Sequence, residues 1–289
     1  MIPKIIHRVW MSEDLPDPNT DLGKCFYSQE KLKDYGYEIK TYNSHNFDFS
    51  ISNFLAQAYA LKQWAFVTDY IRFWVIYNYG GIYLDADVEI NKTFDPLLES
   101  KYFFGATYPK WKYGNKDQGK NCPNMCGLYF PYDYLIDPAV FGAEKENYIV
   151  GLFLNYLNNR NFIEYDGYIH NQHEQDTDDL SFKLDILDLK VCRVLNMYGY
   201  NKYGFIEDIN EYINSVNQSD IYKDVYILNT EFLTDPFYKD HNNENCICSH
   251  KHIGSWINRK NKRKRYLSEY SEEEQEEYRK RLNYILNKV

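Results

Sequence analysis

Two aspartates in the first third of the chain are its clearest candidates for metal chemistry. Asp85 and Asp87 follow Ile82–Leu84, a β-branched and aromatic run that is typical of a buried strand. Because side chains alternate along an extended backbone, we expect both carboxylates on the same side. Two carboxylates this close repel unless a cation lies between them, and their oxygens suit a hard divalent ion. Since Asp-x-Asp pairs are common, two solvated acids at a strand end are the alternative interpretation.

A helix before the acids brings two further charged residues towards them. Apolar and aromatic residues at three- and four-residue spacing predict one buried helix face: Phe66, Tyr70, Phe73, Ile76 and Tyr77. Gly80 and Gly81 predict the end of this helix, because glycine readily takes the left-handed conformation. Asp69 and Arg72 are three residues apart and therefore lie on one face. With the two aspartates, they indicate a site for a phosphate, a metal ion and a sugar.

The whole stretch forms a long and specific pattern. Residues 66–88 read FVTDYIRFWVIYNYGGIYLDADV, that is, aromatic-x-x-Asp-x-x-Arg followed by Tyr-x-x-Gly-Gly-x-Tyr-x-Asp-x-Asp. This pattern closely resembles the DxD-containing core of family-32 glycosyltransferases, which include capsular-polysaccharide and yeast outer-chain mannosyltransferases. It also resembles the core of the large clostridial glucosylating toxins. The resemblance implies a metal-dependent transfer of sugar from a nucleotide-diphosphate sugar to a glycan or other hydroxyl acceptor, in polysaccharide, capsule or glycoconjugate synthesis.

The resemblance also implies roles for individual side chains. Asp87 is expected to hold a divalent ion, Mn²⁺ or else Mg²⁺, and Asp85 to contact that metal or the ribose. Asp69 and Arg72 are expected to bind the sugar hydroxyls and the phosphate, and Tyr83 belongs to the same donor-binding set. A UDP-sugar donor is favoured over a GDP-sugar. The resemblance further implies that the reaction retains the anomeric configuration.

The N-terminal run Ile-Pro-Lys-Ile-Ile-His reads as a buried strand and also matches the beginning of the family. The strand is followed by Trp10, for which the resemblance implies stacking on the nucleotide base, an interaction that contributes roughly 1–3 kcal/mol. A tryptophan that only fills the core is the alternative. We expect His7 to pack or to form hydrogen bonds rather than to catalyse.

A late segment resembles the closing His-His-x-x-Gly-Ser-Trp element of the family. Counted from the tryptophan, His250 matches the first family histidine and is the expected third metal ligand, with His252 as the neighbouring alternative. A neutral imidazole beside carboxylates is a credible ligand for manganese. Ser255 and Trp256 are expected to bind the diphosphate.

The sequence leaves four other interpretations to compare. A structural zinc site would use Cys122, Cys126, Cys246, Cys248, His250 and His252, but these spacings differ from the usual two-residue knuckle, and reduced thiols are favoured. A hydrolase with Asp85 and Asp87 as its acid/base pair is disfavoured. Glycoside hydrolysis needs carboxyl groups roughly 5–9 Å apart, and two carboxylates on one strand face, two residues apart, would lie too close together. A non-catalytic carbohydrate- or zinc-binding protein stays open, as does a glycosyltransferase acting on a protein acceptor.

The composition favours a folded protein that does not bind nucleic acid. The 289 residues are 44% hydrophobic and 18% aromatic, and 33 basic against 42 acidic residues give a net charge of −9. An acidic balance opposes nucleic-acid binding, which needs a basic field. The sequence has neither a secretory signal nor an apolar run of 18 residues, so we expect a cytoplasmic protein. The basic segment 259–265 predicts a peripheral contact with the inner membrane surface.

The order of the elements predicts an α/β fold. Strands alternate with helices, which favours a mostly parallel central sheet flanked by helices, with its ligand at the carboxyl ends of the strands. The resemblance implies the GT-A type of this fold. We expect one domain over 1–258 with a loop insertion at 108–131, followed at 259–289 by a basic segment and a helix packed on the domain. That helix is predicted to begin at Ser271 and to pack through Leu282, Ile285, Leu286 and Val289.

Overall fold

The structure is a computed structural model that describes most of the chain in several stretches. The described residues are 1–107, 135–169, 191, 194–195, 203–206, 209–218, 225–228, 233, 246–251, 253, 264 and 266–287. Within them the strands are β1 (Ile5–Val9), β2 (Glu38–Tyr42), β3 (Gly81–Leu84), β4 (Val88–Ile90), β5 (Tyr102–Thr107), β6 (Leu135–Ala143), β7 (Tyr203–Ile206), β8 (Val225–Leu228) and β9 (Cys248–His250). The helices are α1 (Asp21–Glu30), α2 (Asn53–Ala60), α3 (Trp64–Tyr79), α4 (Tyr148–Asn158), α5 (Ile209–Gln218) and α6 (Glu272–Leu286).

The strands form one large sheet and one small sheet. The large sheet has seven strands in the order β2-β1-β3-β6-β5-β8-β7, and the small sheet pairs β4 with β9. Strand β6 runs antiparallel to both of its neighbours, whereas the other pairs in the large sheet are parallel. Helices α3 and α5 pack on this sheet. The predicted α/β fold with a mostly parallel central sheet is therefore confirmed.

Helix α3 is buried more completely than its sequence pattern predicts. Phe66 and Phe73 of the predicted face are buried. Val67, Ile71 and Val75, which were not predicted to be buried, are 0% exposed. The helix contacts β1, β3 and β6 of the sheet and also contacts α2 and α4. A helix enclosed by neighbours on several sides is apolar nearly all round. The prediction of a single buried face was too narrow for this reason.

Two glycines allow α3 to turn directly into β3. The backbone φ angle is +67° at Gly80 and +113° at Gly81, a region that side chains with a Cβ rarely adopt. A Cβ on Gly81 would lie 2.6 Å from the carbonyl oxygen of Ile5. The pair ends the helix, as predicted, and lets β3 lie against β1, where His7 is in register with Tyr83.

The predicted C-terminal helix is present and begins where expected. The Ser271 hydroxyl accepts a hydrogen bond from the Glu274 amide at 3.2 Å, and the Glu274 carboxylate accepts one from the Ser271 amide at 2.7 Å. This reciprocal pair satisfies amides that would otherwise lack a partner at the helix start. The helix packs on α2, where Arg281 Nε donates to the Ala60 carbonyl at 2.7 Å.

The packing face of α6 differs in part from the prediction. Ile285 is buried and Leu282 is partly buried, as predicted, but Leu286 is 41% exposed. Tyr278 is buried in its place, at 5% exposure. Tyr278 lies seven residues before Ile285, about two helical turns, and is therefore on the same face of the helix. Leu286, the next residue after Ile285, points away from that face.

Some predictions fall outside the described residues. The loop insertion at 108–131 lies there, as do Val289 and all of the basic segment 259–265 except Lys264. The Lys264 ammonium pairs with the Glu274 carboxylate at 2.5 Å. The membrane contact through 259–265 therefore stays a prediction. Within the described stretches, every helix is too short or too polar to cross a membrane.

His7 is a buried histidine with two hydrogen-bond partners, as predicted. Its side chain is 0% exposed; Nε2 lies 2.8 Å from the Gly80 carbonyl oxygen and Nδ1 lies 2.8 Å from the Tyr42 hydroxyl. A neutral ring that donates from Nε2 and accepts at Nδ1 satisfies both partners. Burial, together with the charge of Lys40, lowers the pKa of His7 to about 4.

This pKa predicts a loss of stability in mild acid. His7 takes up a proton near pH 6.5 in the unfolded chain but only near pH 4 in the folded one. Its contribution to the free energy of unfolding is therefore complete above pH 6.5 and falls by about 3 kcal/mol as the pH drops to 4. Urea unfolding from pH 7 to 4 checks this, because the stability gap between the wild type and His7→Gln should shrink by that amount. A constant gap for His7→Gln would contradict the prediction.

Candidate functional site

The two aspartates lie in a turn, not on an extended strand as predicted. Strand β3 ends at Leu84, and the Val88 amide donates to the Asp85 carbonyl at 3.1 Å, which closes the turn Asp85–Asp87. The chain turns here because β4 leaves the large sheet and pairs with β9 instead. The prediction that strand alternation aligns the two carboxylates is therefore wrong, and the turn brings them together.

His250 is placed beside these acids by the small sheet. In the antiparallel pair of β4 and β9, Val88 is in register with His250. Asp85, Asp87 and His250 each offer one ligand atom, and these three atoms all lie within 4.8 Å of one another. The structure thus brings together the three side chains that the sequence singled out as metal ligands.

The Asp87 carboxylate is held by the strand that carries His250. Its Oδ1 lies 3.4 Å from His250 Nε2, and its Oδ2 accepts a hydrogen bond from the Ile253 amide at 3.0 Å. The Lys251 amide donates to the Asp87 carbonyl at 3.0 Å. Burial raises the pKa of Asp87, but His250 and the Ile253 amide outweigh burial, and the pKa lies below its ordinary value. Asp87 is therefore an anion ready to bind a cation.

The Asp85 carboxylate is held from the opposite side, by α3 and β3. Its Oδ1 accepts a hydrogen bond from the Tyr83 hydroxyl at 2.7 Å and lies 3.3 Å from Arg72 NH2. Burial and the negative charge of Asp87 raise the pKa of Asp85 to about 6, although Arg72 opposes the shift. A cation between the two carboxylates would remove the repulsion that contributes to this shift.

Arg72 is a buried cation surrounded by oxygen atoms. Its NH2 lies 3.3 Å from the carboxylates of both Asp69 and Asp85, and its NH1 donates to the Pro138 carbonyl at 2.9 Å. The guanidinium lies 4.8 Å from the centre of the Tyr83 ring. Burial lowers the pKa of Arg72, but these carboxylates more than compensate and raise it. Nε has no hydrogen-bond partner among the described residues.

The predicted donor-binding residues on α3 and β3 lie behind the acids. Asp69 is 2% exposed, Arg72 is 6% and Tyr83 is 1%. The carboxylates of Asp85 and Asp87 are more open, with side-chain exposures of 22% and 16%. In this structure the buried residues contact Asp85 and one another, so they fix the position of a carboxylate that faces outward.

Trp10 lies at the same edge of the large sheet. It follows β1, which is parallel to its neighbour β3, so the carboxyl ends of both strands meet at one edge. Its indole Nε1 donates to the Asp14 carbonyl at 2.9 Å, and its ring packs edge-on against Phe26 at 5.4 Å. The ring is partly exposed, and its stacking on a base stays a prediction.

One known family model matches the part of the chain that carries this site. Residues 9–104, which include Trp10 and both acids, match the model of a glycosyltransferase sugar-binding region containing a DXD motif. This part of the chain is therefore similar to a glycosyltransferase sugar-binding region. The predicted resemblance to DxD-containing glycosyltransferases is thereby confirmed for these residues.

The curated relatives of the chain include several mannosyltransferases. Inositol phosphoceramide mannosyltransferase 3 of Schizosaccharomyces pombe is 34% identical over 122 residues, which are 38% of this chain and 29% of that protein. Mannosyl phosphorylinositol ceramide synthase CSH1 of Saccharomyces cerevisiae is 28% identical over 116 residues, which are 38% of this chain and 29% of that protein. The match thus spans less than a third of the length of these relatives.

Two solved structures show a detectable likeness to this chain. One is a glycosyltransferase involved in glycosylation of the major capsid of PBCV-1, with 13% identity, a TM-score of 0.33 and coverage of 85% of this chain and 92% of that one. Another is the PaToxG glycosyltransferase, with 13% identity, a TM-score of 0.35 and coverage of 68% and 74%.

Two functional residues of this region escaped the sequence analysis. Gln29 on α1 is 0% exposed, and its Nε2 donates to the carbonyls of Asp85 at 2.9 Å and Val88 at 3.0 Å, which holds both ends of the acid turn. Asp137 on β6 is 3% exposed and lies 3.0 Å from His250 Nδ1. An acid within the apolar run that precedes Gly142 was a signal for Asp137, whereas nothing near Gln29 in the sequence marks it.

The remaining predicted ligands lie outside the described residues. These are Ser255, Trp256 and His252, together with Cys122 and Cys126 of the zinc alternative. Of the other proposed zinc ligands, Cys248 donates its thiol to the Leu233 carbonyl at 3.1 Å. The His250 ring faces carboxylates on both sides. In the described stretches, the cluster suited to a metal is therefore the one around the acid turn.

Proposed function

We propose that this chain is a metal-dependent glycosyltransferase that moves a hexosyl group from a nucleotide-diphosphate sugar to a hydroxyl acceptor, with retention of configuration. The observation that carries the proposal is the convergence of Asp85, Asp87 and His250 within 4.8 Å. Two of these residues belong to the region that matches the glycosyltransferase family model.

The residues present fit a divalent ion. Two carboxylates and one imidazole form a mixed oxygen and nitrogen donor set that suits Mn²⁺, with Mg²⁺ as the second candidate. Asp85, Asp87 and His250 would hold the ion, with room left for donor oxygens because both carboxylates are partly exposed. When bound, it would neutralise the charge that develops on the departing diphosphate.

The other residues of the site act on position and charge. Gln29 fixes the backbone of the acid turn, and Tyr83 and Arg72 fix the Asp85 carboxylate. Rigid placement of this kind lowers the reorganisation that the reaction requires. Trp10, at the same sheet edge, is the side chain that we assign to the nucleotide base.

The names of the relatives suggest a first donor and a first acceptor. Relatives that match this chain are named as mannosyltransferases or as mannosyl phosphorylinositol ceramide synthases. We therefore propose mannose as the first sugar and an inositol-phosphate lipid as the first acceptor to test. A UDP-sugar donor and a protein acceptor stay in the comparison, because the family resemblance favoured UDP and left the acceptor open.

The decisive experiment measures release of nucleoside diphosphate from a panel of UDP- and GDP-hexoses, with Mn²⁺, with Mg²⁺ or with chelator. Acceptor arms contain inositol phosphoceramide, an oligosaccharide or a peptide, and the anomeric configuration of the product is read by NMR. We expect turnover of one donor class that chelator abolishes. Turnover unaffected by chelator would refute the metal role, and tight donor binding without turnover would favour a non-catalytic binding protein.

A matched histidine pair tests the site itself. His250→Asn removes the proposed imidazole ligand, and we expect turnover at limiting Mn²⁺ to fall by about 10-fold or more, with partial recovery at high Mn²⁺. His45→Asn alters a histidine whose side chain is 71% exposed, and its turnover should match the wild type. Equal turnover of both variants at every Mn²⁺ concentration would remove His250 from the site.

A further inference from the structure

We propose that Asp137 is a positioning residue that holds His250 in the orientation and tautomer needed for metal binding. The inference rests on the proposed function, because it takes Asp85, Asp87 and His250 as the ligands. Asp137 lies 3.0 Å from His250 Nδ1. Its influence on the metal passes through the His250 ring.

The Asp137 carboxylate is fixed at both oxygens. Oδ1 accepts a hydrogen bond from the Ala139 amide at 2.9 Å, and Oδ2 lies 3.0 Å from His250 Nδ1. The side chain is 5% exposed and that of His250 is 13% exposed. A carboxylate tied to its own backbone cannot follow the histidine if the ring moves, so it fixes the ring.

An irregularity in β6 places this carboxylate at the site. Where β6 pairs with β5, Phe104 is opposite Phe141 but the next residue, Gly105, is opposite Asp137, so the residues 138–140 bulge out of this ladder. Bulges of this kind redirect side chains and release backbone groups. The released carbonyl of Pro138 accepts from Arg72 NH1, at 2.9 Å.

The same bulge also holds the acid turn. The Asp85 amide donates to the Ala139 carbonyl at 2.9 Å. One short segment of β6 therefore contacts His250 through Asp137, Arg72 through Pro138 and Asp85 through Ala139. This shared support explains how side chains that are far apart in the sequence are held in one geometry.

The contact with Asp137 decides which nitrogen of the His250 ring can bind a metal ion. When Nδ1–H donates to a carboxylate, Nε2 keeps its lone pair and becomes the ligand atom, and the carboxylate increases its basicity. In this structure His250 Nε2 is the nitrogen that faces Asp87, at 3.4 Å. The Asp137 contact therefore selects the tautomer in which the correct nitrogen is free to bind the ion.

The test uses Mn²⁺ alone and does not depend on turnover. Electron paramagnetic resonance of free Mn²⁺ gives the dissociation constant of the full-length chain at one pH. In Asp137→Asn the side-chain amide can donate towards Nδ1, which favours the tautomer with Nε2 protonated. We expect the affinity for Mn²⁺ to fall by about 10- to 100-fold.

A matched control makes the same substitution at an aspartate that accepts the same kind of local hydrogen bond. Asp166 Oδ1 accepts from the Tyr168 amide at 2.9 Å, the same two-residue contact that Asp137 makes with Ala139. Asp166→Asn should bind Mn²⁺ like the wild type. If Asp137→Asn does not fold, as judged by circular dichroism, Asp137→Ser takes its place, because serine can still accept from the Ala139 amide.

A double-mutant cycle with His250→Ala separates the two proposals. If Asp137 acts through His250, Asp137→Asn should weaken Mn²⁺ binding in the wild type but add nothing in the His250→Ala background. Equal affinity of Asp137→Asn and the wild type, or additive losses in the double variant, would overturn the inference. No Mn²⁺ binding by the wild type, or no effect of His250→Ala, would instead overturn the proposed metal site itself.

Discussion

Asp87→Asn is expected to reduce turnover at saturating donor by about 10³-fold while leaving the fold intact. The change keeps the size of the side chain, and its amide oxygen can still accept the hydrogen bond that the Ile253 amide donates at 3.0 Å. What is lost is the negative charge, which the environment stabilises by holding the pKa of Asp87 below its ordinary value. A neutral amide binds a divalent ion far more weakly than a carboxylate does.

The measurement is the rate of nucleoside diphosphate release over a Mn²⁺ titration, with thermal unfolding as the check on folding. Asp34→Asn is the matched control, because Asp34 is an exposed aspartate in the short 3₁₀ helix Lys31–Tyr35 and should give wild-type rates. Raising the concentration of Mn²⁺ should not restore Asp87→Asn fully, since the ligand charge itself is missing. Turnover within about 3-fold of the wild type would reject Asp87 as the metal anchor, because the loss expected for one electrostatic contact is far larger.

Local sequence was enough to predict the elements around the acids. The end of α3 at the glycine pair and the strand β3 after it follow from residues that are adjacent in the chain. His250 was found through its distance from Trp256 in a recognisable motif. Each of these predictions depended on short-range spacing or on a continuous pattern, which a single sequence displays directly.

Contacts between distant strands were not predictable in the same way. The antiparallel insertion of β6, the pairing of β4 with β9 and the bulge at 138–140 depend on which strands meet. Asp137 and Gln29 gain their roles only from those long-range contacts. The predicted strand geometry of Asp85 and Asp87 failed for the same reason, because the pairing of β4 with β9 turns the chain.

Arg72→Met is expected to lower the free energy of unfolding by about 3–5 kcal/mol, the cost of removing one partner from a buried ion pair. Arg72 is 6% exposed and lies 3.3 Å from both Asp69 and Asp85, so methionine would leave the buried carboxylate of Asp69 and the partly exposed carboxylate of Asp85 without this cation. The Pro138 carbonyl would also lose the hydrogen bond from Arg72 NH1. Urea unfolding monitored by tryptophan fluorescence measures the loss.

A second arginine offers the matched comparison. Arg279 pairs with Glu276 at 3.3 Å with the same three-residue spacing as Arg72 and Asp69, but both side chains of this pair are more than half exposed. Arg279→Met should therefore cost no more than about 1 kcal/mol, as exposed pairs do. Adding Asp69→Asn to Arg72→Met should recover part of the loss, because it removes one of the buried negative charges that Arg72 faces. Equal losses for the two arginine variants, or no recovery in the double variant, would mean that buried charge does not dominate the stability of this site.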